Sequence, residues 1–310
     1  YDALKAQRFW HTTLSNLEEI QSLTSRYSHL ASTQNESILC STITLTKHLK
    51  SSIQRFCRLN GITENSLFLT AWGLLQSVYL HQRQVIFATV HSGRNKNQGS
   101  NLNAVGCFIE TIPIFMRLQP SSTPLILCNA LQQFIIKAQN HSGLTLSEII
   151  SCQPQLDIAS LLQVLFVYEN YPRDGQNIDD TSLSIDSISS REKTDFPLMI
   201  MGKHIEQIQF EFHYQSQYFT SSFVKQLMDH YQEAITYIVE NSEQPIQKFK
   251  LHAGVKQTTP KPAHEQNLNI GTVFWESAQR FPEKIAIRCF NSTITYHELF
   301  HRSHTMASEL

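Results

Sequence analysis

No stretch of this sequence approaches the roughly 20 consecutive apolar residues that a bilayer-spanning helix needs, and no signal peptide opens it. We therefore expect a soluble protein of the cytoplasm. Charge of one sign is also missing: 25 Lys and Arg stand against 26 Asp and Glu. Such a balance creates no field to gather polyanions, so neither nucleic acid nor a membrane surface is an expected partner. Six cysteines (Cys40, Cys57, Cys107, Cys128, Cys152, Cys289) are scattered, mostly among apolar neighbours, with no CxxC pair and no Cys/His cluster of zinc-ligand spacing. Buried free thiols are expected, and no metal site. Internal repeats of about 20 to 50 residues are absent, which excludes a solenoid. What is there is 310 residues, ample for one large domain, or one domain and part of another. The chain begins at Tyr1 rather than Met and stops inside an amphipathic pattern, His297 to Leu310, without a cap, so both ends read as cut.

Strand and helix patterns alternate along most of the length, which argues an α/β fold. Leu4, Phe9, Trp10, Leu14, Leu17 and Ile20 recur at helical steps. A strand is expected at Ile38 to Thr46, then a helix on Leu49, Ile53 and Phe56 that Asn60 and Gly61 close. Thr63 caps a second helix reaching about His81, and Val85 to Val90 is a β-branched strand. After the turn-rich loop His91 to Asn103, the apolar run Val105 to Leu118 contains Pro113, which demands an edge strand or a bulge. Thr123 and Pro124 open the best-signalled helix. Further strands are expected at Leu161 to Tyr168, Leu183 to Ile188 and Phe196 to Met201. A Gly202 turn then leads into Ile205 to Tyr214, where Ile208, Phe210, Phe212 and Tyr214 alternate with polar residues. Thr220 caps the helix that Asn241 and Pro245 end. Residues 249–267, with Pro260, Pro262 and few large apolar side chains, read as a linker between a unit over 1–248 and a second over 268–310.

The second unit, "TVFWESAQRFPEKIAIRCFNSTITYHELF", resembles the opening of an adenylation domain of the acyl-adenylate-forming superfamily. Its signature is met at Thr295, Tyr296, Glu298 and Leu299, and the resemblance makes these structural residues. The first unit resembles the C-terminal lobe of a condensation domain of nonribosomal peptide synthetases, with the chloramphenicol-acetyltransferase-like fold: a mixed sheet with flanking helices. The residues that carry this are "AQRFW" near the start, "SGR" at Ser92 to Arg94, "VGCFIETIPI" at Val105 to Ile114, "NHSGLTLSEII" after the long helix, and "VLFVYENYP" at Val164 to Pro172. Two departures from the family patterns stand out: Glu110 where an Asn is usual, and Thr145 to Ser147 where Pro-Phe-Glu is usual. HHxxxDG, which the family carries in its N-terminal lobe and whose second histidine serves the acceptor amine, is nowhere in the sequence.

The resemblance implies a parent enzyme that joins two aminoacyl or peptidyl thioesters, each carried on the phosphopantetheine of a carrier protein domain, where tethering and positioning supply much of the acceleration. ATP and Mg would serve the complete adenylation domain. No cofactor is expected on this chain itself and no catalytic residue within it, so its partners are the carrier domains, the missing N-terminal lobe and the rest of the adenylation domain. Phe108, Glu110 and Thr111 fall on a strand that the family places near the substrate tunnel, or on a core strand whose polar side is solvated. Arg94 could contact a phosphopantetheine phosphate, hold an interlobe carboxylate, or be a plain surface arginine. His141 matches the histidine of a family motif, yet it follows a helix end, where imidazole favours the orphan carbonyls. Two other readings stay open: a catalytically silent platform that docks carrier proteins, and a stand-alone acyltransferase of the same fold.

Overall fold

The computed structural model describes residues 3–15, 21–28, 37–92, 105–106, 108–141, 143–153, 162–169, 195–204, 206–252, 270–289 and 292–308. The chain divides into two units, 1–256 and 257–310. In the first, strands β1 (Ile38–Thr44), β2 (Gln84–His91), β3 (Glu110–Arg117), β4 (Val164–Glu169), β5 (Leu198–His204) and β6 (Ile208–Gln215) form one sheet in the order β1-β6-β5-β4-β2-β3. Strands β2, β4 and β5 run parallel to one another, and the remaining pairs are antiparallel. The sheet is therefore mixed. Helices α1 (Ala3–Leu14), α2 (Leu23–Tyr27), α3 (Lys47–Asn60), α4 (Glu64–Leu80), α5 (Pro124–Gln139), α6 (Leu146–Ser151) and α7 (Ser221–Glu240) accompany it.

Four of the long helices start where a threonine side chain can satisfy an orphan N–H group. Thr46, Thr63, Thr123 and Thr220 each accept a hydrogen bond from the backbone three residues on. Gly61 closes α3 in the left-handed conformation at φ 65°, which a Cβ would disfavour. Apolar residues cover α4 on every side, so it can be stable only as an interior helix. Phe68 of α4 and Tyr231 of α7 meet the aromatic face of β6: Phe210 lies 5.0 Å from Phe68 and 5.1 Å from Tyr231, edge on in both cases. The Tyr231 hydroxyl donates to the Phe68 carbonyl at 3.1 Å and so ties the two helices. Alternation in β6 is complete, with Ile208, Phe210, Phe212 and Tyr214 buried and the residues between them half-buried.

Several expectations are corrected. Gly202 does not turn the chain; it lies inside β5, opposite Phe210. A Cβ there would stand 2.7 Å from both the Phe210 and Tyr168 rings, so the glycine serves close approach instead. Val105 is fully exposed and the strand starts only at Glu110, although β3 does occupy a sheet edge, as Pro113 requires. Cys57 and Cys128 are buried, and burial pushes each thiol up to about 12. Cys40, however, is exposed and Cys152 only half-buried, because β1 is an edge strand and Cys152 ends a one-turn helix. Cys107, the expected strand Leu183 to Ile188, and residues 253–267 of the expected linker lie outside the described residues. Phe249 packs on Tyr237 at 5.0 Å, and the His252 N–H donates to Glu233 at 3.0 Å.

The second unit holds α8 (Ile270–Arg280), β7 (Ile285–Cys289), β8 (Ser292–Thr295) and α9 (Tyr296–Ser308), with β7 and β8 paired as an antiparallel hairpin. Among its described residues only Ala278 is buried.

Candidate functional site

Because β2, β4 and β5 run the same way, their carboxyl ends, His91, Glu169 and His204, fall along one edge of the sheet. Glu110, where antiparallel β3 begins, joins that row as the partner of His91. The row crosses four strands, roughly 15 Å at a spacing of ~4.8 Å. In open α/β sheets this is the edge where connections diverge and leave room for a ligand.

At one end of the row His91 Nε2 lies 3.1 Å from Glu110 Oε2, with side chains 11% and 25% exposed. Thr111 follows, half-buried and paired with Val90, and the half-buried Phe108 packs its ring over Gly106. At the other end, two groups converge on one carboxylate. The Tyr168 hydroxyl donates to Glu64 Oε2, and His204 Nδ1 sits 3.1 Å from the same oxygen. Glu64 is the first residue of α4, where the helix N-terminus favours a negative charge. Burial, and then the Glu64 carboxylate, push the Tyr168 hydroxyl far above its ordinary value, so it remains a neutral donor. The same two causes keep Cys57 a thiol at neutral pH. This edge therefore offers paired carboxylates and imidazoles that can orient a polar group or hold a proton.

Of the three residues expected on one strand, the structure sets Glu110 and Thr111 at the start of β3, whereas Phe108 lies two residues before it, outside the strand. Sequence reasoning missed Glu64, Tyr168 and His204. Residue Arg94 lies outside the described residues. His141 is engaged elsewhere: its Nδ1 is 2.8 Å from the Lys137 carbonyl and its ring stacks on Phe9 at 4.3 Å. The Thr145 departure also has a local task. Thr145 caps α6 and Glu148 returns the bond to the Thr145 N–H, a reciprocal box whose hydrogen bonds hold the Glu148 carboxyl below its ordinary value. In the second unit Thr295 and Glu298 make the same exchange at the start of α9, at 3.0 and 3.2 Å, and Tyr296 rests 6.3 Å from the Phe274 ring.

A second cluster lies on β1 and β6. The register sets Cys40 opposite His213, and Glu211 shares their face. Nε2 of His213 is 3.8 Å from Cys40 Sγ and 3.1 Å from Glu211 Oε2, while Lys203 Nζ holds Glu211 Oε1 at 2.8 Å. Burial raises the Glu211 carboxyl, but the Lys203 and His213 hydrogen bonds outweigh it and leave the group below its ordinary value. Burial and then Glu211 raise the Cys40 thiol. Donor atoms of Cys40, Glu211 and His213 all lie within 4.8 Å of one another, which makes this the group of described residues with the donor set for a metal ion.

Among known families, the one described as the condensation domain matches residues 1–258. Bacitracin synthase 3 of Bacillus licheniformis is 24% identical over 324 residues, covering 100% of this chain and 5% of that protein. Surfactin synthase subunit 2 of Bacillus subtilis (strain 168) is 26% identical across 100% of this chain, which spans 9% of it. This chain thus corresponds to less than a tenth of the length of either relative. Of solved structures, a four-domain nonribosomal peptide synthetase bound to AMP and glycine superposes with a TM-score of 0.66 at 15% identity, over 96% of this chain and 25% of that one. The condensation domain of the monacolin K polyketide synthase superposes with a TM-score of 0.63 at 13% identity, over 79% of this chain and 59% of that one. Both likenesses are of fold.

Proposed function

This chain belongs to the condensation-domain family, and from that membership we propose that it is the C-terminal lobe of a condensation domain of a nonribosomal peptide synthetase, followed by the opening of an adenylation domain. The observation that carries this reading is the family match over residues 1–258. Condensation domains of these synthetases form amide bonds. In the parent assembly this lobe supplies one wall of the tunnel in which a carrier-bound acceptor amine meets a carrier-bound donor thioester. The amine nitrogen forms the new bond to the thioester carbon, the phosphopantetheine sulfur leaves as thiol, and the proton lost by the amine balances it. The lobe contributes positioning. The His91–Glu110 end of the sheet edge lines the tunnel, with Phe108 and Thr111 beside it and Arg94 reaching a phosphopantetheine phosphate. Carrier domains and an N-terminal lobe bearing HHxxxDG are its partners, and the chain alone is inactive.

The capping role of Thr295 and Glu298 supports reading residues 268–310 as the first elements of an adenylation domain, in which Tyr296 and Leu299 are also structural. A linker after the His252 anchor separates the two. The complete assembly would bind ATP and Mg and activate an amino acid.

The test loads two carrier domains with aminoacyl groups and follows the carrier-bound product by mass spectrometry. The complete synthetase should yield the amide, and this chain alone should not. An amide formed by the chain alone would sink the claim of inactivity. No amide from the complete protein would favour a silent docking platform, and ATP–pyrophosphate exchange by the complete protein tests the adenylation reading separately.

A further inference from the structure

We propose that Cys40, Glu211 and His213 form a three-ligand site for a zinc-class divalent metal ion on the β1–β6 edge of the sheet, with the fourth position open. Bonds of about 2.3 Å to sulfur and about 2.0–2.1 Å to nitrogen and oxygen, at tetrahedral angles, set neighbouring ligand atoms roughly 3.3–3.6 Å apart. The spacings here, 3.1 Å from His213 Nε2 to Glu211 Oε2 and 3.8 Å to Cys40 Sγ, straddle that range.

The direction in which His213 points separates this from two other uses of the same residues. In a nucleophilic relay the imidazole turns one nitrogen to the thiol and the other to the carboxylate. Here Nε2 alone faces both. A simple imidazole–carboxylate ion pair would explain Glu211 but not why a thiol completes the triangle. Three donors of the types that zinc takes, converging on one point, are what coordination requires. Lys203 occupies the other carboxylate oxygen and so aims Oε2 at that point, as outer partners of metal ligands do. Exposure of Cys40 on an edge strand gives the ion a way in. Bound there, it would bridge β1 to β6.

The experiment titrates the metal-stripped chain with Co²⁺. One equivalent should give a thiolate-to-cobalt charge-transfer band that Zn²⁺ displaces and that Cys40→Ser abolishes with the far-UV circular dichroism unchanged. His213→Gln should weaken binding by at least about 10–100-fold, the loss typical even of outer partners. In the unsubstituted chain, Zn²⁺ should slow alkylation of Cys40 but not of Cys152, a readout that survives any folding defect in a variant. Absence of the band, its persistence in Cys40→Ser, or alkylation of Cys40 indifferent to Zn²⁺ would overturn the site and leave an ion pair only.

Discussion

Gly202, inside β5, leaves its Cβ position empty between the rings of Tyr168 and Phe210. A glycine between two apolar runs reads as a turn, yet here the empty Cβ position admits two aromatic rings from opposite sides. We expect Gly202→Ala to cost about 1–3 kcal/mol through overpacking. Urea unfolding should show the midpoint lowered with the slope kept, and an unmoved midpoint would rule out the crowding. Tyr168, one of those rings, gives a second case. Tyr168→Phe removes the donor to Glu64, a hydrogen bond to a charged group worth about 1.5–3 kcal/mol. Because His204 faces the same oxygen, the double variant with His204→Gln should depart from additivity, which a double-mutant cycle measures. None of this cluster was legible, since its members lie 104 and 140 residues apart in the chain and no period or spacing links them. Glu110 was legible because its neighbours form a recognisable pattern, while its contact with His91 depended on a register that only the folded sheet sets.

Elements were read best where their signals are local. Threonine caps at Thr63, Thr123 and Thr220 and the alternation of β6 depend on residues within a few positions of each other, and the structure has them where they were expected. Pairing partners depend on the whole chain and were not read at all. The cap of α9 makes a prediction at this scale. Thr295→Ala should lower helix stability by about 0.5–2 kcal/mol, visible as faster hydrogen exchange in the first turn of α9 and not in β7. The α4–α7 interface makes another. His230 of α7 meets Tyr79 of α4 at 2.8 Å, and burial holds the imidazole below its ordinary value, with Glu233 and Asp229 opposing. As pH falls through about 6.5 the unfolded chain takes up the proton first, so stability present at neutral pH is lost; the loss levels off once the native imidazole titrates. The difference in urea midpoint between pH 7.5 and 5.5 should shrink in His230→Gln, and an unchanged difference would count against this origin.

At the scale of the molecule the two units differ in what they bury. The first has a continuous core running from Ala6 to Phe249, whereas among the described residues of the second only Ala278 is buried, with Trp275, Phe281, Ile285 and Ile287 exposed. Unit 257–310 should therefore open at much lower free energy than α4 and β6. Hydrogen exchange should show α8 and α9 amides exchanging well before those of α4, and equal protection would refute it. The α/β class was visible from alternating periods, because these are a property of the local pattern. Strand order was not, since a sheet with both parallel and antiparallel neighbours leaves many orders compatible with the same segments.

The register that joins Ile38 to Gln215 and Thr44 to Gln209 also sets a clock. On a ribosome adding ~5–20 residues per second, β1 leaves the exit tunnel roughly 10–35 s before β6 exists to receive it. Throughout that interval its ladder groups face whatever else is nearby, and its sequence, ILCSTIT, carries no charge or proline to repel a stray strand. Yield of folded chain should thus depend on how fast the ribosome covers residues 45–215, a quantity fixed by codons and temperature rather than by any contact in the finished sheet.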